Sequence, residues 1–190
     1  MERPRSSSSL GPDTGDLLLV AAGDSAAVQR LLSRWRAPVF AVFEKSREPG
    51  DAAEAAAAVF EALFRTASRF DPATPFPAWI WSFVAKEVER APESRLPAIP
   101  PARLIESTAA RAALVRAAVG SLPPGERSAF LLTRVARLPA PVAAAAAGTS
   151  ETELLRRLVR AFTALSASLA PLLPQHESRT APEPGGAAAP

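Results

Sequence analysis

The side chains whose type and spacing could do chemistry in this 190-residue chain are a group of arginines. Arg156, Arg157 and Arg160 fall within "TSETELLRRLVRAF". Guanidinium groups set that close together can neutralise the phosphates of DNA, or they can be the solvated face of an ordinary amphipathic helix. Other chemistry lacks its parts. There is no cysteine, so neither a thiolate nucleophile nor a thiolate metal site is available. The single histidine, His176, stands in a low-complexity tail. No glycine-rich phosphate loop and no His/carboxylate cluster with metal-ligand spacing occurs. The chain reads as a binding protein rather than an enzyme, with no cofactor and no metal.

The arginines need a helix to align them and a second element to hold that helix. Pro141 suits the first turn of a short alanine helix, 141–147, which Gly148 terminates. Ser150 and Glu153 form the Ser-x-x-Glu capping box ahead of the next helix. At about 100° per residue, with Arg156 at zero, Arg160 falls near about 40° and Arg157 near about 100°. Leu154, Leu158, Phe162, Leu165 and Leu169 fall between about 160° and 240°, on the opposite side. A short helix, a glycine turn and a longer amphipathic helix make a helix-turn-helix pattern. In that motif the second helix buries its apolar face and offers the other to the major groove.

The rest of the chain also reads as helical, with no strand pattern. Helices are expected from Asp13 or Asp16 to Ala22, from Asp24 or Ser25 with a disturbance at Pro38 past which Val39, Phe40, Val42 and Phe43 continue the apolar stripe, over Ala52–Phe70 behind an Asp51 cap, and over Ala78–Arg90. Further helices are expected over 108–120 and about 125–136. Residues 1–12 and the tail, 171–190, have the composition of unstructured ends. The segment "APESRLPAIPPARLIES" carries four prolines and reads as a linker. The expected architecture is all-α, with two small helical domains, 13–91 and 108–170, joined by a proline-rich linker at 92–107. The core anchors are Trp35, Phe40, Phe43, Phe60, Phe64, Trp79, Trp81, Phe130 and Phe162.

The pI of about 10.4 overstates the basicity, because the formal net charge is only +3. Its cause is arginine, with no tyrosine or cysteine to titrate on the way up. The charge is uneven. Residues 108–170 hold eight arginines against three glutamates, whereas 13–91 hold nine bases against eleven acids. The second block is therefore the nucleic-acid candidate. No apolar run reaches the ~20 residues of a membrane span, and "LLLVAA" is cut short by Gly23-Asp24. The expected compartment is the cytoplasm.

Two stretches carry a family likeness. "DAAEAAAAVFEALFRTASRFDPATPFPAWIWSFVAKEVER" has Asp51, Val59, Phe60, Phe70, Asp71, Phe76, Trp79, Ile80 and Arg90 at the places of a known pattern. "SLPPGERSAFLLTRVARLPAPVAAAAAGTSETELLRRLVRA" has Leu122, Pro123, Arg127, Leu138, Ala144, Gly148, Arg157, Leu158, Arg160 and Ala161. Together they resemble the sigma-70 family of transcription initiation factors, in the small two-domain form called extracytoplasmic-function (ECF) sigma factors. The likeness covers roughly 13–90 and 108–170.

The resemblance implies that the first domain docks on the clamp helices of the largest subunit of core RNA polymerase and opens the −10 element of promoter DNA. It implies that the second binds the β-subunit flap and reads the −35 element. Polymerase docking falls on Asp51, Glu54, Ala57, Ala58 and Glu61. Strand opening falls on Phe76, Trp79, Trp81, Lys86 and Arg90, since splayed bases want aromatic surfaces and cations beside them. Of the two tryptophans, Trp79 is expected in the core and Trp81 outside it. Reading of the −35 element falls on Ser150, Glu151, Thr152, Arg156, Arg157 and Arg160. An anti-sigma factor is a further implied partner.

The chain departs from the pattern where Ala53, Ala55, Ala57 and Ala58 replace polar or larger residues on the docking helix, and Lys86 replaces an asparagine. Alanines also replace the Glu and Ile of the helix-turn-helix, which is expected to thin the packing between its helices. Leu155 replaces a frequent lysine. These changes keep open a second reading, a degenerate sigma-like regulatory binding module that has lost promoter melting.

Overall fold

The computed structural model describes residues 11–94 and 107–170. The fold is all-helical, with no strand among the described residues. The first block contributes α1 (Pro12–Ala21), α2 (Ser25–Glu44), α3 (Pro49–Arg65) and α4 (Phe76–Arg90), with one 3-10 turn at Ala67–Arg69. The second contributes α5 (Thr108–Gly120), α6 (Pro124–Phe130), α7 (Ala140–Ala146) and α8 (Glu151–Leu169), and α6 runs on into a wider π turn over Leu131–Val135. The expected tail, nearly all of the expected N-terminal end and most of the linker lie outside the described residues.

Local chemistry sets the helix starts. The Asp24 carboxylate accepts from the Ala26 and Ala27 N–H groups at 2.7 and 3.2 Å and caps α2. α2 runs through Pro38, where a disturbance is expected, and on to Glu44. Pro38 is exposed, so the Arg34 carbonyl that loses its donor can turn to solvent. α3 starts earlier than expected, with Glu48 at the cap and Pro49 in the first turn, and Asp51 sits inside the first turn where its charge favours the helix dipole. It also ends earlier, at Arg65, where the Thr66 hydroxyl donates back to the Ala62 carbonyl at 2.8 Å.

An ion cluster joins α1 to α2. The Asp16 carboxylate accepts from Arg30 Nε at 2.8 Å and from Arg34, which also reaches Asp13 at 2.7 Å. Hydrogen bonds from Arg30 and Arg34 hold the Asp16 carboxyl below the usual carboxylate range, against the opposing effect of burial.

α4 is the element both blocks share. One side packs on α3, and another on α6 and α7. The buried residues of the two blocks form one continuous cluster, running from Leu17, Phe43 and Leu63 through Ile80 and Val88 to Val119, Leu131 and Leu154. The α7 alanines make this possible. Ala143, Ala144 and Ala146 are buried in an element that touches both α4 and α8. Small side chains let three helix backbones approach, so these alanines form a joint rather than a thinned contact.

Arg127 closes the junction. It is 2% exposed, and its guanidinium donates to the carbonyls of Val88 (2.9 Å), Gly120 (2.9 Å), Pro92 (3.3 Å), Leu122 (3.4 Å) and Ala91. Those carbonyls belong to the C-terminal ends of α4 and α5 and the residues just beyond, where helix dipoles are negative and carbonyls lack intrahelical donors. Burial, and then Arg47, lower the Arg127 pKa, while Glu93 and Glu89 oppose them.

Arg127→Met should cost about 3 kcal/mol, because several buried carbonyls lose their donor at once. At about 2–4 °C per kcal/mol, thermal unfolding should fall by roughly 10 °C. The unfolded chain titrates Asp16 near ~3.9. Because the folded value is lower, the stabilisation is complete above that pH and is lost as pH falls through the folded value. Asp16→Asn should therefore lower the melting temperature at pH 7, and the gap to the parent should narrow as pH drops below about 4.

Candidate nucleic-acid interface

The arginine helix starts as the sequence predicts. Gly148 takes φ +61°, a left-handed turn that only glycine adopts freely, and α7 ends there. The Ser150 hydroxyl accepts from the Glu153 N–H at 3.2 Å and caps α8. The reciprocal half of the expected capping box is absent among the described residues, because the Glu153 carboxylate turns to the arginines instead. It accepts from Arg157 Nε at 3.1 Å and from Arg160 Nη2 at 3.4 Å, and lies 3.8 Å from Arg156 Nη1.

α8 packs on α6, α7 and α5, and the residues it buries are Leu154, Leu158, Ala161 and Leu165. Phe162 is not among them, contrary to expectation. It lies at the edge of the buried set, half-exposed, with its ring edge-on to Phe130 at 5.8 Å and the Arg134 guanidinium 5.0 Å above it. Ala161 takes the buried position. Leu155 and Val159 are exposed.

The three arginines share a helix but not an environment. Arg156 is 68% exposed and points outward. Arg160 is 52% exposed and donates to Glu126 of α6 at 2.9 Å, a stronger contact than its bond to Glu153. Arg157 is 27% exposed and lies across Gly125, where an added Cβ would meet Nη1 at 3.0 Å. Arg157 and Arg160 line a recess of about 390 Å³ with Glu89, Glu126 and Glu153. Hydrogen bonds from Arg157 and Arg160 lower the Glu153 pKa, and those to Glu126 and Glu153 raise that of Arg160. Ser150, Glu151 and Thr152 are exposed at the start of the helix.

The expected strand-opening residues divide. Phe76 is buried, and so is Trp81, only 4% exposed. The expected placing of Trp81 outside the core is thus overturned, while Trp79 packs against the core but is less buried than Trp81. Trp81 lies edge-on to Trp35 at 6.1 Å, and Trp35 meets Phe76 at 5.3 Å. Trp79 is half-buried between Phe70 and Phe83, at 5.6 and 5.3 Å. The helical wheel failed here because α4 is covered on more than one side, so a position far round from the α3 contact is still inside. Lys86 and Arg90 are exposed, with Lys86 5.6 Å above the Phe83 ring and Arg90 paired to Glu87 at 3.2 Å.

Asp51, Glu54, Ala57, Ala58 and Glu61 recur at helical spacing on the outer side of α3, all exposed except the half-buried Ala58. Glu61 pairs with Arg65 at 2.8 Å. Asp51, Glu54 and Ala58 border a cleft of about 650 Å³ between the blocks, with Arg47, Arg116 and Arg127 on its other walls. Sequence reasoning matched Arg127 to a family position but did not foresee that it joins the blocks. It missed Glu126 as a partner of Arg160 altogether, since nothing along the chain links positions so far apart.

No family model matches the chain, and no curated protein matches it. Among solved structures, the chain is similar in fold to one described as the structure of CnrH in complex with the cytosolic domain of CnrY. The match has a TM-score of 0.66 and 24% identity, and covers 84% of this chain and 97% of that one. No described helix is long and apolar enough to cross a membrane.

Burial separates two kinds of site residue. Trp81→Ala should destabilise by about 3–5 kcal/mol. Lys86→Ala should stay within about 0.5 kcal/mol of the parent. Chemical denaturation of both variants checks this, and any DNA-binding loss in the tryptophan variant should track the folded fraction.

Proposed function

We propose that the chain is an ECF-type sigma factor, which binds core RNA polymerase and directs transcription initiation at its promoters. Residues 13–91 and 108–170 are its two functional units. The observation that carries this reading is the agreement of two independent signals. Sigma-like patterns occur in both blocks in the right order, and 84% of the chain is similar in fold to CnrH. α3 offers the polymerase a mildly acidic, alanine-rich face through Asp51, Glu54, Ala57, Ala58 and Glu61. α8 offers promoter DNA Arg156, Arg157 and Arg160, with Ser150, Glu151 and Thr152 nearest the base edges. Lys86, Arg90 and Trp79 serve the opened strand first, whereas Phe76 and Trp81 reach a base only if the core around α4 loosens. Promoter binding and opening place the protein in the cytoplasm.

CnrH was solved with the cytosolic domain of another protein. By analogy, an anti-sigma factor restrains this chain.

The test is run-off transcription with purified core polymerase on the promoter upstream of the protein's own gene, with core pull-down alongside. The expected outcome is a specific transcript that disappears in Arg156→Ala/Arg157→Ala/Arg160→Ala while core binding persists. Core binding without a transcript from any template tried would favour the degenerate regulator, a reading that the burial of Phe76 and Trp81 keeps in play. Neither binding nor transcript would sink both readings.

A further inference from the structure

The basic face of α8 is neutralised from within. Two of its three arginines end on glutamates. Arg160 bonds Glu126 at 2.9 Å and Glu153 at 3.4 Å, and Arg157 bonds Glu153 at 3.1 Å. Glu126 belongs to α6 and is only 15% exposed on its side chain, so the packing of α8 on α6 delivers it to Arg160. Glu153 approaches all three arginines. Glu89 adds a third carboxylate to the same recess without bonding either arginine. Arg156 is the most exposed of the three and makes no close bond to a glutamate among the described residues, its nearest approach being 3.8 Å to Glu153.

We infer that Glu126 and Glu153 are an intramolecular stand-in for DNA phosphate, occupying Arg157 and Arg160 and setting the affinity of α8 for duplex DNA low. This rests on the reading of α8 as a DNA-binding helix. The chemistry is competitive. A carboxylate and a phosphate oxygen ask for the same guanidinium donors, so DNA must displace the glutamates before it gains those contacts. Exposed ion pairs are weak, so displacement is feasible. The freed carboxylates then remain beside the phosphates and repel them, so that only a site offering further contacts binds well. The device thus suppresses non-specific binding, which is the part of the affinity that phosphate contacts supply.

The experiment measures affinity of the full chain for a labelled mixed-sequence duplex across about 50–200 mM salt, the range over which phosphate contacts show. Glu126→Gln/Glu153→Gln should bind about tenfold tighter than the parent. Its dependence of log affinity on log salt should steepen by about 0.9 for each arginine released. Glu44→Gln removes a negative charge from the exposed end of α2, outside the cluster, and should change affinity less than about twofold, because it frees no phosphate-binding group. Thermal melts confirm that each variant is folded, and Glu126→Gln alone, which leaves the first turn of α8 untouched, serves if the double variant is not.

Unchanged affinity and slope in the glutamine variants, with binding still lost in Arg156→Ala/Arg157→Ala/Arg160→Ala, would overturn the inference and leave α8 as a DNA helix. An equal gain from Glu44→Gln would overturn it by showing that net charge alone is at work. Indifference of every form to the triple alanine change would overturn both the inference and the DNA role of α8.

Discussion

The seam between the two sequence blocks closes on one buried guanidinium. α4 and α5 both end at the seam between the two sequence blocks, and their C-terminal carbonyls would otherwise be buried without donors. Arg127 meets carbonyls from both ends at once. A lysine ammonium could not do the same, since its donors leave one nitrogen, whereas the fork of arginine spreads them in a plane. The charge is desolvated without an acid bonded to it, which is costly. The carbonyls, at or just beyond the negative ends of α4 and α5, offset that cost. Ser94, just beyond α4, adds a backbone bond to the same Gly120 carbonyl at 3.0 Å.

With that seam closed, the small residues acquire a purpose. Gly120 has no space for a side chain, because an added Cβ would lie 2.9 Å from the Ser46 carbonyl oxygen. The alanines of α7 likewise allow it to sit between α4 and α8. Large side chains on α7 would shift α8, and with it the arginines relative to Glu126. The geometry of the basic face therefore depends on packing several residues removed from any charge.

The electrostatics follow a common plan in both blocks. In the first, Asp16 draws Arg30 and Arg34 of α2 onto α1. In the second, Glu126 and Glu153 draw Arg157 and Arg160 onto the α6–α8 contact. In each case arginines that look like a solvated stripe along their own helix are spoken for by acids, on the neighbouring helix for Arg30, Arg34 and Arg160 and within α8 itself for Arg157. The net charge of a segment thus says little about the field it presents.

The sequence by itself determined the helical class, the positions of most helices, the Gly148 turn and the Ser150 cap, because those depend on local propensity, capping and turn chemistry. It also determined that Arg156, Arg157 and Arg160 lie on one side of α8, because helical periodicity is a local property. Only the tertiary structure decided which of them stay open, because Glu126 comes from another helix. Only the tertiary structure decided that Trp81 is inside and Phe162 at an edge. A helical wheel knows one helix's directions, not how many neighbours cover it, and α4 has neighbours on more than one side. The burial of Arg127 belongs to the same class. Its residue type was legible, but a role that consists of joining the ends of α4 and α5 exists only once distant parts of the chain meet.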